Sequence, residues 1–236
     1  MQSIISLTFD DGLRCQFDNA VPVLNRHGIP ATFFLIANQD PTHESWEPKN
    51  DWWKIDWREG DIANLKQLIE DGHEIGSHSL THHQDKMRAN PVAEARDSTE
   101  RIEDWLETKV TSFCYPYYRS HAYLAEAVKK AGYEQARGGG NPPHYGAGNS
   151  FYVVPGDPSF DIFNVDCRQI SAKEKVSDWL RPGCWHILTF HAIGSRRDGW
   201  EPIGVEQFAA LMAELAKCRD DGAVEILTFK DGAARL

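Results

Sequence analysis

The chain carries no apolar run approaching the ~20 residues that a bilayer-spanning helix needs, so no membrane span is expected. Basic charge is scarce. Against 35 Asp and Glu stand 25 Lys and Arg, giving a net charge of −10 and a pI near 5.4. Without a cationic surplus nothing displaces counterions from a phosphate backbone, which excludes nucleic acid as a partner. The five cysteines lie far apart and form no C-x-x-C pair, which argues against a disulfide framework and for a reducing compartment. A basic leader and a small-residue cleavage site are both missing after Met1, so the expectation is a cytoplasmic protein. Repeats and low-complexity tracts are absent as well.

What is present is the composition of a globular chain, with 41% hydrophobic and 25% charged residues over 236 positions and a mean hydropathy of −0.51. Seven short apolar runs, at residues 4–9, 31–36, 74–77, 111–115, 134–137, 186–191 and 224–228, are separated by apolar residues at helical spacing. Asn90-Pro91 reads as a helix cap followed by proline at the first helical position, and Ser120 as the cap of the next helix. Pro22 should kink the first helix or delay its start. This alternation predicts an α/β fold of parallel strands with right-handed crossovers, closed or open, in one domain spanning residues 1–236. Residues 38–60 and 138–148 read as long loops.

Four clusters could carry chemistry. Asp10-Asp11-Gly12 follows the first strand, where one carboxylate can bind a metal while its neighbour faces a substrate; the plain alternative is a capped turn. His78 and His82, four apart, would share one face of a helical turn as metal sites often require, unless they are a metal-free surface cluster. His83, five from His78, fits worse. Residues 115–118 (Tyr115-Pro116-Tyr117-Tyr118) form a Pro-aromatic turn able to present a backbone N–H, or simply tyrosines packed on a rim. His191 ends the sixth strand and, alone, would be a structural hydrogen-bonded residue. All four fall at C-terminal strand ends, the face where barrels build their sites. A carboxylate with two histidines suits Zn²⁺ or another borderline divalent ion.

TFDDG at 8–12, the H-S-x-T-H pattern at 78–82, the Pro-aromatic turn at 115–117 and LTFH at 188–191 occur in this order in the NodB-homology polysaccharide deacetylases, carbohydrate esterase family 4, which the chain resembles over roughly residues 4–230. The resemblance implies a distorted (β/α) barrel, often of seven strands, and metal-dependent hydrolysis of an N-acetyl amide on an amino sugar. It implies Asp11, His78 and His82 as ligands of one divalent ion, Zn²⁺ foremost with Co²⁺, Ni²⁺ and Mn²⁺ as alternatives. It further implies Asp10 as general base, His191 as general acid and the backbone N–H of Tyr117 as oxyanion donor. An N-acetylated sugar is the expected partner, and the oligomeric state is open.

The chain also departs from the family pattern. Cys114 stands near the place of an arginine that tethers the catalytic Asp in many members, and Arg137, at the end of the fifth strand, is the expected replacement cation for Asp10. Asp166 is the better candidate by spacing to support His191; Asp178-Trp179 matches in letters but falls in a predicted helix. Tyr118 replaces a common glycine and is expected to narrow the pocket against substrate. Trp52 and Trp53, in the loop that also holds Trp46, are candidate sugar platforms or packing residues; Trp57, just before a helix, reads as a packing anchor, and His144 and Tyr145 are candidate rim residues. A small-amide or formamide hydrolase and a non-catalytic carbohydrate-binding relative are the competing readings.

Overall fold

A computed structural model describes residues 2–37, 59–138, 152–157, 160–170 and 175–236. Its strands are β1 (Ser3–Phe9), β2 (Thr32–Leu35), β3 (Glu74–Ser77), β4 (Ser112–Cys114), β5 (Gln135–Arg137), β6 (Tyr152–Val153), β7 (Arg168–Gln169), β8 (Trp185–Phe190) and β9 (Val224–Ile226). The helices are α1 (Val21–His27), α2 (Glu59–Glu70), α3 (Gln84–Ala89), α4 (Pro91–Leu106), α5 (Ala122–Lys130), α6 (Val176–Trp179), α7 (Val205–Asp220) and α8 (Phe229–Ala233). Among the described residues no helix is long and apolar enough to cross a membrane.

β1 and β8 form the spine, in parallel register from Ile4↔Trp185 to Phe9↔Phe190. Both read as nearly unbroken apolar runs because both faces are covered. From β1 the sheet runs through β2, β3 and β4 to β5, every pair parallel. Closure comes from the segment that ends in β7. Val165 bridges to Arg137 on one side, and Arg168 and Gln169 pair with Leu188 and Thr189 on the other. The result is a distorted (β/α) barrel with seven parallel staves. The seventh stave is not the predicted run at 224–228. That run is a strand, β9, but it lies only beside the first residues of β1, with Ser3↔Val224 through Ile5↔Ile226 in register.

Strand alternation sorts the side chains into two cores. Ile5, Leu7 and Phe9 on β1 and Leu188 and Phe190 on β8 face the helices, where Phe9 stacks on Phe33 and Phe190 and meets the edge of Phe208 from α7. Trp185 and Ile187 point the other way, into an interior shared with Phe34, Cys114, Val165 and Phe229. At Gly76 on β3 an added Cβ would meet the Phe34 ring at 2.6 Å, so the glycine makes room for that ring inside the barrel.

Local signals differ in outcome. Asn90 caps α4 by accepting from the Ala93 N–H, with Pro91 at the helix start. Ser120 does not cap α5; the cap position is His121, and no side chain bonds there. Pro22 sits in the first turn of α1, and the residues before it, Gln16–Ala20, wind as a π-helical turn instead of α-helix.

His73 joins this frame through both ring nitrogens. Its Nδ1 accepts from the Ala31 N–H at 3.1 Å and its Nε2 bonds to Asn25 Oδ1 at 2.9 Å. That pattern requires a neutral ring, and burial lowers its pKa from the ordinary 6.5 despite an opposing pull from Asp71. Between the folded value and 6.5 the unfolded chain binds the proton and the folded chain does not, so stability falls as pH drops below 6.5. Urea unfolding at pH 7 and pH 5.5 should show that loss. His73→Leu should flatten it and cost about 1–3 kcal/mol at pH 7 through the unpaired Ala31 N–H.

Candidate active site

The alternation that buries Thr8 and Thr189 in the barrel continues one step past each strand, to Asp10 and His191. Both are buried, and His191 Nε2 lies 3.9 Å from Asp10 Oδ2. Gln16 fixes their backbones from the π-helical turn. Its carboxamide donates to the carbonyl of Asp10 at 2.6 Å and to that of His191 at 3.0 Å.

Asp11 turns away from Asp10 because its backbone is left-handed, φ 75°, a conformation continued by Gly12 at φ 68°. Its Oδ1 lies 3.4 Å from His78 Nε2 and 3.7 Å from His82 Nε2. The two imidazoles do not ride on a helical turn as their spacing predicts. Ser79 and His82 are left-handed, with φ of 69° and 57°, and α3 begins only at Gln84, capped by His83. Glu94 on α4 holds this loop. One of its carboxylate oxygens accepts the Thr81 hydroxyl at 2.7 Å and the other the Thr81 N–H at 2.9 Å. The His82 N–H in turn donates to Ser79 Oγ at 2.9 Å.

Five of the seven non-glycine residues with positive φ among the described residues lie at this mouth: Asp11, Ser79, His82, Tyr117 and Tyr118. Strain of this kind persists only where surroundings over-determine it, and it concentrates at functional sites.

Asp11, His78 and His82 bring one carboxylate oxygen and two imidazole nitrogens within 4.8 Å of one another, all buried. His78 Nδ1 donates to the Cys114 carbonyl at 2.9 Å, which leaves Nε2 as the lone-pair nitrogen facing Asp11. The donor set and its outer support fit a divalent cation. Burial pushes the Asp11 carboxyl up, but the neighbouring imidazoles of His78, His191 and His82 outweigh it and hold the group ionised.

Arg137 lies fully inside the barrel and pairs with Asp10, its Nη2 on Oδ1. Its Nη1 donates to Thr189 Oγ1 at 3.0 Å and contacts Cys167 Sγ at 2.9 Å, while Nη2 lies 3.0 Å from Cys114 Sγ. The guanidinium also lies 5.1 Å from the centre of the Phe34 ring, the ring that Gly76 accommodates. Burial pushes the Asp10 carboxyl up, yet Arg137, His78 and His191 outweigh it and leave it below the ordinary range. His191 is the reverse case, where burial lowers the pKa against the pull of Asp11 and Asp10.

Tyr117 packs its ring against His82, centroids 4.5 Å apart, and donates its hydroxyl to the His82 carbonyl at 3.0 Å. Tyr118 does not line an open pocket; it is buried, and its hydroxyl donates to Gln169 Oε1 at 2.9 Å. Asp166 is exposed and does not stand behind His191, whose Nδ1 instead meets Gln169 Oε1 at 3.1 Å. Asp178 is exposed and accepts from the Lys175 N–H at the start of α6, beside the buried Trp179. Trp46, Trp52, Trp53, Trp57, His144 and Tyr145 lie outside the described residues.

Three side chains the sequence analysis passes over are Gln16, Glu94 and Gln169; each acts through a hydrogen bond that no spacing rule announces. A fourth is Trp200, 45% exposed and edge-on to His191 with centroids 4.8 Å apart. Removing Arg137 would leave Asp10 buried and unpaired, so Arg137→Met should lower stability by about 3–5 kcal/mol in chemical denaturation.

The family model described as polysaccharide deacetylase matches residues 1–136. A chitooligosaccharide deacetylase of Bradyrhizobium sp. (strain ANU 289) is 33% identical over 95 residues, 39% of this chain and 34% of the relative. The chain spans less than half the length of each of the curated relatives it matches. Among solved structures, the Xyl-CE4 domain of a multidomain xylanase from the hindgut metagenome of Trinervitermes trinervoides superposes with a TM-score of 0.61 at 17% identity, over 100% of this chain and 91% of that one. A family 4 acetyl xylan esterase from Clostridium thermocellum, solved with a cobalt ion, gives 0.61 at 17% identity over 98% of this chain and 91% of its own. Those two likenesses are of fold.

Proposed function

The chain belongs to the polysaccharide deacetylase family, and we propose that it acts as one catalytic domain, a metal-dependent hydrolase that removes N-acetyl groups from an amino-sugar oligo- or polysaccharide. One observation carries this reading. A buried Asp11, His78 and His82 trio opens onto the same mouth as an ionised Asp10 and a His191 3.9 Å from it. The chitooligosaccharide deacetylase similarity agrees with it.

Asp11, His78 and His82 would hold the ion, with Zn²⁺ favoured by the mixed nitrogen and oxygen donors and Co²⁺, Ni²⁺ or Mn²⁺ as substitutes. A divalent ion there supplies Lewis acidity to a water and to the amide carbonyl. Asp10, kept as a carboxylate by Arg137, accepts the proton that the attacking water sheds. The Tyr117 backbone N–H donates to the oxygen of the tetrahedral adduct. The amine leaves only once protonated, and His191 in its doubly protonated form delivers that proton from Nε2, to be recharged afterwards by the proton that Asp10 took from the water. Burial weakens its hold on the proton and eases the transfer. Trp200 offers an exposed aromatic face beside His191 for a sugar ring.

The test is acetate release from a panel of N-acetylated sugars, before and after chelation and metal return. Expected are turnover lost on chelation and restored by Zn²⁺, and loss of about 10²–10⁴-fold in Asp10→Asn. No acetate from any sugar by the metal-loaded protein would overturn the reading, in favour of a small-amide hydrolase if simple amides are cleaved or a binding protein if glycans bind unchanged. Trp200→Ala should raise KM roughly fivefold, matching about 1 kcal/mol of lost ring contact, with kcat little changed.

A further inference from the structure

Two departures from the family pattern, far apart in sequence, meet in space. Tyr118 stands where a glycine is common, and no carboxylate among the described residues bonds to the outer nitrogen of His191. One atom answers both. Gln169 Oε1 is 2.9 Å from the Tyr118 hydroxyl and 3.1 Å from His191 Nδ1. An amide oxygen only accepts, so Tyr118 and Nδ1–H both donate to it, and the lone-pair nitrogen of a neutral His191 is Nε2, the one facing Asp10.

We propose that Gln169, steadied by Tyr118, is the positioning residue for His191, and that Tyr118 serves the acid from behind instead of touching sugar. The proposal rests on His191 being the acid of the deacetylation. The surroundings agree with it. The Tyr118 ring lies 6.2 Å from that of His191 and under the Arg137 guanidinium at 5.9 Å, so the side chain is clamped on two sides. Gln169 is itself placed by β7, whose pairing with Thr189 sets it two residues from His191 along the neighbouring strand. A glycine at 118 could not reach Gln169, and an isolated carboxamide would be free to rotate. The two residues make sense as a pair.

A neutral amide orients the imidazole as a carboxylate would, but adds no charge behind it. Position alone is then what the substitution of Gln169 removes. Gln169→Leu should lower kcat about 10–100-fold with KM within about twofold, while Gln169→Glu, which keeps an acceptor at the same reach, should retain most of the turnover. Tyr118→Phe should show a smaller kcat loss of the same kind. In the zinc-loaded full chain, ¹⁵N–¹H spectra of the histidine rings should show the His191 proton on Nδ1, and Gln169→Leu should convert that signal to a mixture of tautomers.

Wild-type kcat in Gln169→Leu, or a neutral His191 ring whose single proton rests on Nε2 in the wild-type spectrum, would overturn the proposal. A chain that releases no acetate from any sugar yet shows the Nδ1 proton and its loss in Gln169→Leu would keep the positioning and remove the deacetylase reading, so the two failures are separable.

Discussion

The pairing of Arg137 with Asp10 at the barrel axis constrains everything around it. Two charges taken out of water cost several kcal/mol each, and attraction repays this only when the remaining donors are also satisfied. Arg137 meets most of that demand through its two Nη nitrogens, which draw on most of the ring, while its buried Nε has no hydrogen-bond partner among the described residues. It starts from β5, reaches the end of β1 at Asp10, touches β8 through Thr189 and β4 through Cys114, and contacts Cys167 beside β7. The barrel therefore has an electrostatic hub where a larger apolar core would otherwise be. Phe34, and Gly76 beneath it, shape the hollow in which that hub sits.

The hub also divides labour between two adjacent carboxylates. Asp10 continues the inward parity of β1 and meets a guanidinium; Asp11 is thrown to the other side by a left-handed backbone and meets two imidazoles. Neighbours in sequence thus face different partners, one a guanidinium and the other a pair of imidazoles. On β8 the inward parity ends at His191, across from Asp10. Two strands in register suffice to set Asp10 and His191 opposite one another.

Much of this was legible in the sequence because strand ends are legible. Asp10, Asp11 and His191 each follow an apolar run, and Arg137 follows another, so parallel strands had to bring them to one face. The loop of His78 and His82 was legible in residue type but not in conformation: the four-residue spacing suggests a helix, while hydrogen bonds from Thr81 to Glu94 impose a different path. The seventh stave was illegible because β7 is only two residues long, too short for any period to register. Gln16 and Gln169 were missed for a related reason. Amides carry neither charge nor hydrophobic pattern, and only the fold shows what they reach. Asp166 drew attention as an acid at the right spacing, yet the inward position went to an amide three residues on.

The short seventh stave has a kinetic side. A strand fastened at two register pairs opens more easily than one fastened at six, and local opening need not involve the rest of the molecule. Amide hydrogens on β1 and β8 should exchange with solvent only through global unfolding, while those around Gln169 exchange through brief local excursions. During each excursion His191 loses its orienting partner while Asp10 keeps Arg137. The barrel thus sets Asp10 at the end of its longest paired strands and the partner of His191 on one of its shortest.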